Sequence, residues 1–151
     1  MLMQTDTKAI DLVMLVDDND TDNFISKRII EITKFAKRVE VKGSGKAALD
    51  YLRENQNKAE DLPSLIFLDI NMPMMDGKQC LKSLKSIPEF QDIPVIMYST
   101  STDTGEIREC YSLGADDFLI KPHSYEKLVN DLTSIFAFSK RSPIWFKTIL
   151  S

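Results

Sequence analysis

Short apolar runs alternate along the chain with longer stretches whose apolar residues recur at helical spacing. The runs are DLVMLV (11–16), RVEVK (38–42), SLIFLD (64–69), PVIMYS (94–99) and DFLIK (117–121). Being short and rich in Val, Ile, Leu and Phe, they read as strands. Between them Phe24, Ile25, Ile29, Ile32 and Phe35 suit one helix face, as do Ala48, Leu49 and Leu52, then Leu81 with Leu84, and Ile107 with Cys110 and Tyr111. The last stretch is the most regular, with Tyr125, Leu128, Val129, Leu132, Ile135 and Phe136 predicting an amphipathic helix. Turn chemistry agrees: Gly43 and Gly45 flank Ser44, Pro63 precedes the third run, Pro88 and Pro94 bracket the next loop, and Gly114 follows Leu113 as a helix C-terminal glycine.

Five strands alternating with five helices predict a doubly wound α/β fold, a five-stranded parallel sheet with helices on both faces, because parallel neighbours need a crossover. The continuously apolar runs 1, 3 and 4 belong at the centre, whereas RVEVK alternates and suits a position near an edge. The expected strand order is the flavodoxin-like 2-1-3-4-5, and ligands of such sheets bind outside the carboxyl ends of the strands, near the reversal between strands 1 and 3. Asp17 and Asp18 end the first strand, Asp69 the third, Ser99 and Thr100 the fourth, and Lys121 the fifth. Three carboxylates brought together without a cation repel and raise at least one pKa. An all-oxygen set with room left for water and phosphate oxygens suits Mg2+. One lysine and one hydroxyl opposite suit a phosphoryl group, which a carboxylate nucleophile can accept while the cation and the lysine stabilise its oxygens.

Composition narrows the field. At 151 residues, 43% hydrophobic and 28% charged, the chain fits one globular domain. Its formal charge of -4 argues against nucleic acid as a partner. No apolar run reaches the length of a membrane span, and MLMQTDTKA has neither the basic nor the apolar part of a signal peptide, so no membrane association and a cytoplasmic location are expected. Cys80 and Cys110 form no CxxC pair and read as reduced thiols.

The acidic pair in LVDDND, the block LIFLDINMPMMDG, the hydroxyl in PVIMYST and the Lys-Pro of GADDFLIKP occur in one order. Together they resemble a receiver domain of the two-component response regulators, over residues 10 to 138. Residues 1–9 would then be an N-terminal extension and 139–151 a C-terminal tail. The resemblance implies that Asp69 is the phosphoacceptor and that Asp18 and Asp69 bind Mg2+ directly. Asp17 would act largely through water, and Asn71 would offer its backbone carbonyl. It implies that Ser99 and Lys121 hold the phosphoryl oxygens, that Phe118 is the switch aromatic that turns inward with the strand-4 hydroxyl, and that the Lys121-Pro122 bond is cis. The implied function is a stand-alone phosphorylation switch, not an enzyme acting on a separate substrate. It would take its phosphoryl group from a sensor histidine kinase or histidine phosphotransfer protein and act on a downstream protein or pass the group on; a homodimer is a further option. Thr100 departs from the small residue usual after that hydroxyl and is expected to narrow access for hydrolytic water.

Other features carry less. GSGKAA (43–48) departs from a P-loop at Glu40 and Ala47 and reads as a turn and helix start. STSTDTG (99–105) resembles a flavodoxin phosphate loop but follows the fourth strand, so its residues after Ser99 read as loop and helix-capping hydroxyls. His123, the single histidine, reads as a solvated turn residue, and Trp145 with Phe146 as packing on the body or on a subunit neighbour. A haloacid dehalogenase-type phosphatase also uses a strand-end Asp and Mg2+, but needs an acid two places on, where Asn71 stands.

Overall fold

In the computed structural model, which describes residues 10–139, each apolar run becomes a strand. These are β1 (Ile10–Val16), β2 (Ala36–Lys42), β3 (Leu65–Leu68), β4 (Val95–Ser99) and β5 (Asp117–Ile120). The connecting helices are α1 (Asp20–Thr33), α2 (Gly45–Glu54), α3 (Gly77–Ser86), α4 (Thr104–Ser112) and α5 (Tyr125–Ser139), with one 3-10 turn over Ala59–Asp61. All strand pairs are parallel and the order is β2-β1-β3-β4-β5, as expected.

Period-two alternation sends successive side chains to opposite faces and divides the core in two. Met14, Val16, Ile66, Leu68, Val95 and Met97 pack with Leu49 and Leu52 of α2, Leu81 and Leu84 of α3 and Cys110 of α4. Val13, Leu15, Phe67, Ile96 and Leu119 pack instead with Ile29 and Ile30 of α1 and with Leu128, Leu132 and Phe136 of α5. There the Phe136 ring meets Phe35 at 4.7 Å and Phe67 at 5.7 Å.

Register sets the height of the site. Val16 lies beside both Lys42 and Leu68, so the chain leaves β1 and β3 at one level. The ladder runs one residue further, with the Asp17 N–H donating to Lys42 O, the Asp69 N–H to Val16 O at 2.9 Å and the Lys121 N–H to Ser99 O at 2.7 Å. Backbone bonding therefore fixes the residues that carry the chemistry.

The helix faces differ in part from the expected ones. In α1 the inward face consists of Asp22, Asn23, Ser26, Ile29 and Ile30, whereas Phe24 and Ile32 are each 67% exposed. At 100° per residue Phe24 lies opposite Ser26, so the apolar count misplaced it. Phe35 is buried but lies beyond the helix, where Lys34 turns the chain at φ 56°. In α5 Leu128, Leu132 and Phe136 form the buried stripe, and Tyr125 and Val129 flank it in solvent. Gly114 does end α4, at φ 109°. The Lys121-Pro122 bond is trans, since the described residues contain no cis peptide; this corrects the cis expectation, trans being the intrinsically favoured X–Pro form. No helix among the described residues is long and apolar enough to cross a membrane. The expectations for Trp145, Phe146 and the segments 1–9 and 140–151 lie outside the described residues.

Candidate functional site

The loop after β1 is held by its own side chains. Asn19 donates its N–H to Asp17 Oδ1 at 2.9 Å and caps α1 by accepting the Asp22 N–H, while Asn23 donates from its side chain to Asp17 O at 2.8 Å. Asp17 is thereby buried and oriented, and Asp18 next to it faces solvent. Across the sheet junction, Asp69 is buried just past β3.

Behind Asp69 the chain folds back sharply. The Gly77 N–H reaches Ile70 O at 2.7 Å, and a Cβ on Gly77 would fall 2.1 Å from the Asp69 carbonyl oxygen. Only glycine admits that approach of α3 to the strand end. Asp76 and Gln79 close a capping box over the first turn of α3. Between them Asn71 is exposed, with no backbone hydrogen bond to its carbonyl among the described residues, and Met74 is fully exposed at φ 70°.

One carboxylate oxygen each from Asp17, Asp18 and Asp69 lies within 4.8 Å of the others. Burial, followed by the Asp17 charge, pushes the Asp69 carboxyl up to about 7, against the pull of the Lys121 ammonium. The repulsion expected of such a cluster is thus present and falls on the residue at its centre. Three hard oxygen donors whose negative charge Lys121 offsets only in part fit a divalent cation.

The remaining strand ends complete the rim. Ser99 is fully buried and its Oγ accepts the Ser101 N–H at 3.2 Å. Thr100 is exposed and its hydroxyl bonds no protein group among the described residues. Phe118 is already turned inward, 8% exposed, among the residues that pack under α4. The α4 cap is the Asp103 carboxylate, which takes the Gly105 and Glu106 N–H groups; the Ser101 hydroxyl supports it, so a carboxylate does what hydroxyls were expected to do.

Lys121 is 5% exposed and its Nζ lies 2.6 Å from Asp17 Oδ2 and 2.9 Å from Asp22 Oδ2. Burial works against its charge, but the hydrogen bonds to Asp17 and Asp22 and the charges of Asp17 and Asp69 more than offset that and its pKa is raised. The ammonium also sits 5.3 Å from the centre of the Tyr98 ring. It makes no ion pair with Asp69 among the described residues. Asp22 and Tyr98 were not among the residues singled out in the sequence. The available signal was position: Asp22 stands four, seven and eight residues before Ser26, Ile29 and Ile30, on the inner face of α1.

The response regulator receiver domain model matches residues 13–133. The chain belongs to this family. A 124-residue alignment makes this receiver 36% identical to the probable methanogenesis regulatory protein FilR2 of Methanothrix harundinacea, covering 82% of this chain and 80% of that protein. It is 37% identical over 110 residues to the two-component response regulator ORR3 of Oryza sativa, covering 73% and 79%. Among solved structures, the phosphorylated cyanobacterial phytochrome response regulator RcpA superposes with a TM-score of 0.76 at 30% identity, covering 86% of this receiver and 94% of that chain. The matches give no support to the phosphatase alternative. In this receiver Cys80 and Cys110 are free and buried, and burial pushes their thiols up to about 12 and about 11, as expected of inert core cysteines.

Proposed function

We propose that this receiver accepts a phosphoryl group on Asp69 from a phosphohistidine of a sensor kinase or phosphotransfer protein. The observation that carries the reading is the convergence of Asp17, Asp18 and Asp69 within 4.8 Å beside the buried Lys121. The phosphorylated state of the related RcpA supports it. An Asp69 carboxylate oxygen attacks phosphorus; the P–O bond forms as the P–N bond to the donor imidazole breaks, and the imidazole leaves with that electron pair and takes a proton.

Asp18 and Asp69 would hold Mg2+ directly, Asp17 through water and Asn71 through its carbonyl. Bound there, the ion would neutralise the carboxylates and the oxygens of the transferring group. Lys121 Nζ and Ser99 Oγ would donate to those oxygens, and the buried Phe118 would be locked inward once Ser99 is engaged. Thr100 at the mouth would slow the in-line approach of water. The output surface in this reading is α4, β5 and α5, where Tyr111, Ile120, Tyr125 and Val129 are exposed apolar residues available to a downstream protein. The chain then has no turnover on a separate substrate, and it acts in the cytoplasm.

Incubation with labelled acetyl phosphate and Mg2+ tests this. The parent takes up label and Asp69→Asn takes up none, because an amide is not a usable nucleophile. Full labelling of the variant at another residue would remove Asp69 from the role.

A further inference from the structure

We infer that Asp22 is a positioning residue that holds the Lys121 ammonium back, so that a phosphoryl group on Asp69 must compete with it for the lysine. The inference rests on the phosphoacceptor reading of Asp69 and deepens it. Asp22 lies in the first turn of α1 with its carboxylate turned inward, 2.9 Å from Lys121 Nζ. That ammonium is the one side-chain hydrogen-bond partner of its carboxylate among the described residues. The carboxylate is not needed as a cap, since Asn19 fills that role and takes the Asp22 N–H.

Charge balance explains why such a residue affects the site. Asp17 alone would neutralise Lys121; with Asp22 the buried triad carries a net negative charge. A surplus buried carboxylate is costly and here serves no packing or capping purpose. An ammonium has three N–H donors, and two of them are committed to Asp17 and Asp22, none to Asp69. Asp17 belongs to the acidic cluster that a cation would occupy, so its charge is compensated there. The Asp22 charge is outside that cluster and persists. It therefore lowers the affinity of the site for the dianionic phosphoryl group and tethers the one cation that would grip it.

The second wall of this pocket agrees. Tyr98 is buried, its ring faces Lys121, its hydroxyl has no hydrogen-bond partner among the described residues, and the residue helps line a cavity of about 10 Å³ together with Asp17, Asn23, Ser26 and Asp69. Lys121 is thus flanked by an acid of α1 and an aromatic face of β4, and its side-chain hydrogen bonds go to Asp17 and Asp22 while it acts on Asp69 through its charge alone.

Titration with beryllium fluoride, a tetrahedral mimic of the phosphoryl group, in saturating Mg2+ tests the inference. Asp22→Asn keeps the size and one acceptor oxygen but drops the charge, and should bind the mimic about five- to tenfold more tightly than the parent, the effect of weakening one charge-assisted bond. Asp22→Glu should stay within about twofold of the parent because the charge is kept. The gain should vanish on a Lys121→Met background. Equal or weaker binding by a folded Asp22→Asn, or a gain that persists without Lys121, overturns the inference. If Asp22→Asn does not fold, carbon NMR of the unaltered protein serves. There the Asp22 carboxylate resonance must move when beryllium fluoride is added, and an unmoved resonance overturns the tether. Failure of the parent itself to bind the mimic would overturn the phosphoacceptor reading along with it, which separates the two.

Discussion

At the amino edge of the sheet Lys37 pairs with Asp11 at 3.3 Å and Arg38 with Asp61 at 3.1 Å, with the basic side chains more than half exposed. At the carboxyl edge Lys121 pairs with Asp17 at 2.6 Å and Asp22 at 2.9 Å, and all three side chains are withdrawn from water. Both edges pair basic side chains with aspartates, but the balance differs. Charges at the amino edge match one to one and are solvated, so they cost and contribute little. At the carboxyl edge Asp17, Asp18, Asp22 and Asp69 face one ammonium, and burial makes the imbalance expensive. The fold carries that cost at the edge where the carboxyl ends of the strands converge, which is where ionisable groups in an α/β sheet are expected to do chemistry.

The largest expected effect comes from removing the cation on each side. Lys121→Met leaves Asp17 and Asp22 buried without a counter-charge and should destabilise the fold by on the order of 3 kcal/mol at neutral pH. Lys37→Met at the other edge should cost less than about 0.5 kcal/mol. Denaturant unfolding of both variants measures the contrast, and equal losses would erase it.

A smaller effect concerns Asp69, whose carboxyl sits at about 7 in the folded chain against an ordinary 3.8. The folded state keeps a proton that the unfolded state has given up between those values. The stabilising contribution is therefore complete below the ordinary value and is lost as pH rises through about 7. In metal-free buffer near pH 8, Asp69→Asn should be more stable than the parent by about 2 kcal/mol, allowing for solvent at the rim, and near parity around pH 4. A divalent cation should close the gap at high pH by stabilising the parent alone. Thermal melts at the two pH values check this, and a variant no more stable at pH 8 would show that Asp69 is not under repulsion.

The smallest effect is kinetic. In the proposed reading the exposed Thr100 side chain would stand beside the path of the in-line water, so Thr100→Ala should release phosphate from the phosphorylated protein about two- to threefold faster at equal Mg2+. An unchanged or slower decay would show that Thr100 does not gate the site.

The carboxyl edge was legible because its parts sit at the ends of apolar runs. Asp17, Asp69 and Lys121 each follow, and Ser99 ends, a strand whose hydrophobicity announces it, and a parallel sheet aligns such ends by its own bonding. Asp22 was not, because it lies in the polar run DNDTDN, where no apolar neighbour marks the inner face and a helix N-terminus already accounts for an acid. The same weakness placed Phe24 and Ile32 inside: counting apolar residues in α1 misses a face built of Asp22, Asn23 and Ser26, whose burial follows from their contacts at the site. Tyr125 and Val129 were overread for a related reason. A helix packed along one stripe of Leu128, Leu132 and Phe136 leaves flanking apolar residues free, and sequence periodicity does not distinguish core from rim.

Borohydride reduction after incubation with acetyl phosphate and Mg2+ converts an aspartyl phosphate to homoserine, and peptide sequencing by mass spectrometry then reads the position. Homoserine at position 69, dependent on the divalent cation and absent without the phosphodonor, is the predicted result. Homoserine at position 17, 18 or 22 with Asp69 intact, or none anywhere in a protein shown to be folded, would contradict the assignment of Asp69 as the phosphoacceptor.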